Sequence, residues 1–408
     1  MPELTISLPE TAAGLSAEIS RRVESLLEQF PPATTGDREF FGAQFDAGLA
    51  WVHFPPGLGG LGAPAHLQEL VAGPLRAAGA PQNALRNFVG LGTVAPTLIA
   101  YGTPAQQAML RPLFCCEEIW CQLFSEPEAG SDLASLRTVA VRDGGSWVIT
   151  GHKVWTTLAH VSHYGFLIAR TNPEVSKHRG LTCFIVDMTA PGVTVRPIRQ
   201  ITGEAEFDEV IFDNVVVDDG MRIGAVDSGW HVTMSTLMNE RNHNGELAKK
   251  PRGQGPIAHA MRLWREGGSG DPVMQDRLVR DWITAEAIRL TALRSEQQRV
   301  AGTVGAEGSV LKLVIGEFTQ EVMDLCVDLA GLDGALVEDY EMRQPDTMAE
   351  STMGDGQDAI DVTKAFLNAR SSTIGGGTTE MQRNAIAERL LGLPRDGGGA
   401  AVGRTPGP

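Results

Sequence analysis

Glu240 and Arg241 stand side by side in the stretch Gly229–Asn244, where Trp230, Met234, Leu237 and Met238 recur at helical spacing. On a helical projection Arg241 falls near the centre of that apolar face, and Glu240 lies about 100° away at its flank. An arginine on an apolar face needs either a carboxylate or a ligand phosphate. On this segment alone the structural ion pair is the simpler reading, and an arginine meeting a ligand phosphate is the sharper one. A second candidate is Gly375-Gly376-Gly377-Thr378-Thr379-Glu380-Met381-Gln382. Thr379 with Gln382 reads as a capping box, so a helix is expected to start just after Thr379. Glycines ahead of a helix start present free backbone N–H groups, which suit an anion or a polarised carbonyl; an ordinary helix–helix turn is the alternative. The run Trp120–Leu133 carries Ser125, Gly130 and Ser131, donors for a phosphate or a flat ring. In Gly151–Thr157, Trp155 beside Thr156 and Thr157 can stack on such a ring and bond its edge. Read singly, core packing is the simpler reading of each of these two stretches.

Other motifs carry less. Gly57-Leu58-Gly59-Gly60-Leu61-Gly62 matches G-x-G-x-x-G, but Pro55-Pro56 precede it and no β-α-β unit surrounds it, so a structural turn is expected. His160, His163, Cys115, Cys116 and Cys121 lack metal-ligand spacing, and no metal site is expected. No G-x-S-x-G elbow for a nucleophilic serine occurs.

The elements that must position these residues fall in three blocks. Ile19, Val23, Leu26, Leu27 and Phe30 recur at helical spacing before Pro31-Pro32, and helical patterns follow over Arg38–Ala50, His66–Ala78, Ala84–Tyr101 and Pro104–Phe114. From Trp120 to about Val226 short β-branched segments predict strands at Arg137–Arg142, Ser146–Thr150, His163–Ala169, Leu181–Asp187, Val193–Pro197 and Glu209–Val217. Asp143-Gly144-Gly145 marks a hairpin between the first two. Helical periodicity returns from Gly229 to Leu391, broken by polar or Gly/Pro-rich stretches at Lys249–Gly255, Gly267–Pro272 and Arg343–Gln357. The fold class is therefore α+β: an N-terminal helical domain (1–119), a middle β-domain (120–226), a C-terminal helical bundle (227–394), and a Gly/Ala/Pro-rich tail (395–408) expected to be disordered.

At 408 residues and 42% hydrophobic the chain can bury a large core. A formal charge of −16 argues against a generic nucleic-acid binder. Five cysteines without a C-x-x-C pair read as reduced thiols, which points to a cytoplasmic setting. Met1 to Pro9 has neither a basic start nor an apolar core, and no apolar run approaches membrane-spanning length, so neither a signal peptide nor a membrane span is expected.

Taken together, Phe124–Thr138 (FSEPEAGSDLASLRT), Gly151–Thr157 (GHKVWTT), Arg179–Met188, Ile201–Val215 and Gly375–Arg395 resemble the acyl-CoA dehydrogenase family, in order and over nearly the whole chain, and the likeness extends to actinobacterial members. The resemblance implies the family's fold, with a small β-barrel or sheet between helical domains and a C-terminal four-helix bundle. It implies bound FAD, an acyl-CoA substrate and its oxidation to the trans-2-enoyl-CoA. The α-proton leaves to a base and the β-hydrogen passes as hydride to flavin N5; an electron-transfer flavoprotein is the implied acceptor, with an oxidase as the alternative. Gln122, Phe124, Ser125 and Ser131 match flavin-binding positions, with Ser131 also near the pantetheine arm. Trp155 and Thr157 match residues against the isoalloxazine, and Thr378 and Glu380 a flavin-contacting segment. Arg241 matches a CoA-site residue, and Gly377 is carried over as substrate-binding. Many family members hold their catalytic glutamate in the turn where this chain has Gly376. A second group, including isovaleryl-CoA and long-chain enzymes, takes it from the first long helix after the β-domain, where the match is Glu240. Gly376 then keeps only its backbone N–H for the thioester oxygen, leaving room for a branched or bulky acyl group.

The family's Arg and Phe-Gly pair, by which one subunit reaches its neighbour's flavin, have no clean counterpart; Arg294 is the one candidate. The adenine-contacting Gly-Gly loop stands here as Asp328–Gly334. A homodimer, a homotetramer or a heterotetramer with a related subunit is implied, and a non-catalytic or half-site subunit is the alternative function.

Overall fold

Where apolar residues recur every three or four positions, the chain coils and buries that stripe. The computed structural model describes residues 12–247, 251–267, 270–300, 307–337, 339–351 and 361–394; the tail expected at 395–408 lies outside the described residues. Its helices are α1 (Ala12–Gln29), α2 (Asp37–Asp46), α3 (Glu69–Ala77), α4 (Ala95–Tyr101), α5 (Pro104–Gln107) and α6 (Leu110–Phe114), then α7 (Gly229–Leu247), α8 (Pro256–Gly267), α9 (Pro272–Val300), α10 (Glu307–Ala330), α11 (Val362–Ala369) and α12 (Thr379–Arg389). Between α6 and α7 run β1 (Trp120–Leu123), β2 (Val139–Asp143), β3 (Ser146–Thr157), β4 (Tyr164–Arg170), β5 (Leu181–Asp187), β6 (Val193–Ile198), β7 (Phe207–Asp218) and β8 (Arg222–Ile223). The chain is an α+β protein.

It divides into two compact units: Met1–Glu240 with Glu341–Gly354, and Arg241–Tyr340 with Asp355–Pro408. In the first, the strands form one sheet ordered β6-β7-β3-β2-β4-β5-β8, with β1 parallel beside β4. Alternate residues feed two cores. Trp120, Phe166, Leu181, Cys183 and Ile185 join the helical N-terminal core of Ile19, Phe40, Phe41 and Leu98. Cys121, Leu123, Leu167, Phe184 and Val186 pack with Trp147, Val210 and Phe212 on the other face. The hairpin forms at Asp143-Gly144-Gly145 as expected, β5 has the expected bounds, and α1 stops ahead of Pro31. The expected helix over Ala84–Tyr101 opens instead with turns, and Gly90–Val94 is a π-helical stretch before α4. The G-x-G-x-x-G match is a turn whose Pro56 bridges Gly60, with no strand leading into it.

The second unit centres on Ile257, Ala260, Phe318, Val322, Leu325, Cys326 and Ala369, from α8, α10 and α11. Asp328, expected in an adenine-contacting loop, is still within α10 and pairs with Arg277; the following Gly331–Ala335 is a 3₁₀ turn. Among the described residues no helix is long and apolar enough to cross a membrane.

Candidate functional site

β1 carries Gln122 and runs straight into the loop of Phe124, Ser125 and Ser131. That loop is tied down by a pair the sequence reading did not single out. Lys153, wholly buried on β3, places Nζ 2.8 Å from Glu126 Oε1 and 2.9 Å from the Phe124 carbonyl oxygen. Glu126 in turn accepts the N–H groups of Arg137 at 2.6 Å and Thr138 at 2.9 Å, and Val154 N–H donates to the Ser125 carbonyl at 2.9 Å. Burial pushes the Lys153 ammonium down to about 8, against the pull of Glu126. Burial also pushes the Glu126 carboxyl up, but Lys153 and the donors of Thr138 and Arg137 outweigh it and hold it below the ordinary carboxylate value. The available sequence signal is a lysine within an otherwise strand-like run, with a glutamate opposite in a loop.

Phe124 turns its side chain into the core against Phe166, ring centroids 5.7 Å apart, so its main chain is what it has to offer a ligand. Ser125 is half-buried and Ser131 exposed. Next to Ser131, Asp132 is paired with Lys177 at 2.6 Å. His178 from the same loop, though exposed, sets its ring 4.8 Å from Trp230.

Further along β3 the register against β7 slips between Lys153 and Thr156, leaving a bulge. Trp155 sits in it at φ 59°, a left-handed conformation that costs a bulky residue about 1–3 kcal/mol. Its ring is 58% exposed, touching Phe207 edge-on at 6.0 Å. Thr157 beside it is half-buried, and the wholly buried Thr156 hydroxyl has no hydrogen-bond partner. An exposed indole on a rigid bulge, with hydroxyls beside it, fits a flat, hydrogen-bonding ring such as flavin.

Glu240 is at the end of the first unit. Among the described residues of α7, Gly229, Val232, Thr233 and Thr236 are buried; of the expected face, Trp230 and Leu237 are partly buried against the N-terminal core and Met238 is half-exposed. At about 100° per residue the buried face continues to Glu240, while Arg241 lies about 120° away from it. The most buried side of the helix is not apparent from the sequence because the two threonines count as polar. Thr236 returns its hydroxyl to the Val232 carbonyl at 2.8 Å and meets Thr97 Oγ1 at 3.1 Å, so it packs as a core residue. Glu240 Oε2 accepts from Gln122 Nε2 at 3.2 Å. Gln122, expected to bind cofactor, is thus a hydrogen-bond donor to this carboxylate. Arg241 is half-buried and belongs to the second unit.

The glycine turn also belongs to the second unit. Gly376 and Gly377 have φ of 66° and 93°, and a Cβ on Gly377 would stand 2.6 Å from Gln382 Nε2. The helix begins at Thr379 and its cap is Thr378, whose hydroxyl accepts Met381 N–H at 3.2 Å. The expected capping box therefore does not form: the cap falls one residue earlier, as a single threonine bond. The left-handed Gly377 makes Thr378 the first extended residue, which puts Met381 at the third helical position. Gln382 is buried and folds back towards the carbonyls of Gly376 and Gly377, at 3.4 and 3.3 Å. Glu380 is exposed, its carboxyl held below the ordinary value by its own backbone N–H and by the Thr379 hydroxyl. Upstream, Lys312, Gly316 and Gln320, one face of α10, hold Ser372 and Thr373. Ser372 Oγ meets the Gly316 carbonyl at 2.9 Å, and Gln320 Nε2 meets Thr373 Oγ1 at 2.9 Å.

Family models described as the acyl-CoA dehydrogenase middle domain and the acyl-CoA dehydrogenase C-terminal domain match residues 121–215 and 227–391. The chain is 39% identical to acyl-CoA dehydrogenase IpdE1 of Mycobacterium tuberculosis, over 77% of each protein. It is 38% identical to acyl-CoA dehydrogenase FadE34 of the same organism over 96% of this chain, and spans half the length of that protein. A solved structure described as the Tcur3481-Tcur3483 steroid ACAD superposes with a TM-score of 0.70 at 26% identity, covering 96% of this chain and all of that one.

Proposed function

We propose that this chain, which belongs to the acyl-CoA dehydrogenase family of FAD oxidoreductases, oxidises an acyl-CoA thioester at its α,β-bond with Glu240 as the base. The observation that carries the reading is the place of Glu240: half-buried on α7, one turn beyond the buried Thr236, its carboxylate bonded by Gln122 from the strand that leads into the loop of Ser125 and Ser131. The bound flavin supplies the acceptor for the β-hydrogen. Trp155 and Thr157 support its ring, and the loop of Ser125 and Ser131, fixed by Lys153 and Glu126, supplies main-chain and hydroxyl donors along its edge and towards the pantetheine arm. Glu240 takes the α-proton. Gly376 offers its N–H to the thioester oxygen, where a preorganised donor stabilises the developing negative charge. Thr378 and Glu380 flank the flavin, while Arg241 and Gly377 bind the CoA-bearing substrate. A bulky, ring-bearing acyl group is the class the side-chain-free turn suits, in line with the steroid ACAD among the structural relatives. An electron-transfer flavoprotein takes the electrons.

Substitution Glu240→Gln tests this. The variant keeps its flavin spectrum, while anaerobic bleaching by an acyl-CoA panel slows by about 10²–10⁴-fold, the range of a lost general base. Near-normal bleaching sinks the assignment. A second reading, a subunit completed by a related partner, is favoured by similar solved structures described as the Tcur3481-Tcur3483 steroid ACAD and the ChsE4-ChsE5 complex from Mycobacterium tuberculosis. A colourless protein that gains flavin only with that partner would establish it.

A further inference from the structure

Residues 341–351 return to the first unit between two stretches of the second. Their main chain joins the sheet region: Arg343 N–H donates to the Gly203 carbonyl at 3.1 Å, its own carbonyl accepts Ala205 N–H at 2.8 Å, and Met348 N–H reaches the Leu85 carbonyl at 2.9 Å. Two fully buried acids beneath it, Glu206 and Asp208, receive its side chains. Ser351 Oγ lies 3.4 Å from Glu206 Oε1, and Gln344 Nε2 lies 3.0 Å from Asp208 Oδ1.

At the centre is His160. Its Nδ1 is 2.8 Å from Asp208 Oδ2, which also accepts the His160 backbone N–H at 3.1 Å, and its Nε2 is 3.0 Å from the Pro345 carbonyl oxygen. A carbonyl only accepts, so Nε2 carries a proton. Asp208, whose other oxygen already accepts the Gln344 amide, is the acceptor for Nδ1. A neutral imidazole has one N–H; two are needed here, so the ring is an imidazolium.

We infer that the protonated His160–Asp208 pair is a clasp that fastens the 341–351 segment onto the end of the β3–β7 ladder and thereby positions the platform of Trp155 and Thr157. The two are adjacent: Asp208 is the register partner of Thr156, and Phe207, partner of Thr157, touches the Trp155 ring. His160 is a positioning residue, three positions beyond Thr157. The clasp stands on geometry alone; its link to flavin rests on the proposed function.

The clasp responds to pH. Facing His160 are Asp208 near the start of β7 and Asp346 on the segment itself; Glu206, just before β7, meets Gln200 and Ser351, and Arg196 on β6 is 3.9 Å from Glu209. Burial pushes the imidazolium down, but Asp208, the Pro345 carbonyl and Asp346 outweigh it and hold its protonation above the ordinary histidine value of 6.5. A raised folded value gives stability that is complete below 6.5 and lost as pH rises through the folded value.

Hydrogen exchange of the whole protein, without added flavin and corrected for intrinsic rates, tests this between pH 6 and 9. Protection of residues 341–351 is expected to fall by up to about tenfold per pH unit across that window. In His160→Gln it is expected to be low already at pH 6 and independent of pH, with flavin retention at pH 6 reduced to the wild-type level at high pH. Unchanged wild-type protection over the range, or a His160→Gln profile like that of wild type, overturns the clasp. A pH-dependent segment in a protein that binds no flavin at any pH would leave the clasp standing and refute the flavin reading.

Discussion

The loop after β1 and the turn before α12 both offer main-chain donors and short hydroxyls, but they are fixed by opposite means. The loop is anchored from beneath by a buried lysine that bonds one carboxylate and one carbonyl, and the carboxylate holds two further N–H groups. Beside it a tryptophan is kept at positive φ by the ladder on either side of the bulge. Among its described residues the turn has no wholly buried charge; the part-buried Lys312 bonds the Ser372 carbonyl just ahead of it. It is shaped by two left-handed glycines, one threonine cap and a glutamine folded under it. In the first region side chains impose a backbone conformation that its residues resist; in the second, the residues were chosen to resist nothing. A ring platform that must not move suits the former, and a donor that must come close to a substrate without a side chain suits the latter.

That contrast breaks first if the turn can host a side chain. In the Glu240→Gln background, Gly376→Glu puts a carboxylate where many family members have theirs, but on a backbone at φ 66° that costs an ordinary residue about 1–2 kcal/mol. Anaerobic bleaching is expected to stay at least about 100-fold below wild type; recovery to within a few-fold would mean the turn tolerates a base and its glycines serve another purpose.

The next largest effect is expected at the anchor. Lys153→Met removes the cation and leaves Glu126 buried, a change of the kind that costs about 3–5 kcal/mol. Denaturant unfolding reads the loss, and flavin is expected to dissociate before the protein unfolds. Adding Glu126→Leu should return part of the stability but not the flavin, because the loop then lacks its carboxylate. Acid reaches the same bond. Glu126 is held below 4.5, so its contribution is present above that value and disappears as pH falls below it. Amide exchange at Arg137 and Thr138 should therefore accelerate below pH 4.5 before exchange in α10 does.

How much of this was legible follows from the same contrast. The strand bounds of β5, the Asp143–Gly145 hairpin and the end of α1 are local, set by alternation, turn residues and proline, and the sequence predicts them closely. Glu240, Trp155 and Thr157 stand out by type and by resemblance. The buried face of α7 does not, because a threonine that bonds its own helix packs like a valine while scoring as polar. Lys153 and Glu126 lie 27 residues apart and meet only once β3 passes under the loop. His160 and Pro345 are 185 residues apart, and the polar stretch around Arg343 reads as a linker because its partners are carbonyls and carboxylates supplied by another part of the chain.

Trp155→Gly then separates strain from function within the loop region. Glycine adopts φ 59° freely, so the bulge loses its cost of about 1–3 kcal/mol. The indole is mostly exposed, and little burial is lost with it. Stability is expected to hold or rise slightly while flavin affinity falls. A variant that unfolds instead would mean that the ring's contact with Phe207 holds the ladder together.

The smallest effect is expected at the turn. Thr378→Ala removes one cap bond to Met381 N–H, worth about 1 kcal/mol. The glycines and Gln382 set the preceding backbone, and the other contact of that hydroxyl is with the exposed Glu380 carboxylate. Thermal unfolding should therefore shift by only a few degrees, and bleaching by a saturating acyl-CoA should change by less than the Lys153→Met variant changes flavin retention. A larger loss of bleaching than of stability would assign the Thr378 hydroxyl to the flavin itself, and would make the turn as dependent on side chains as the loop.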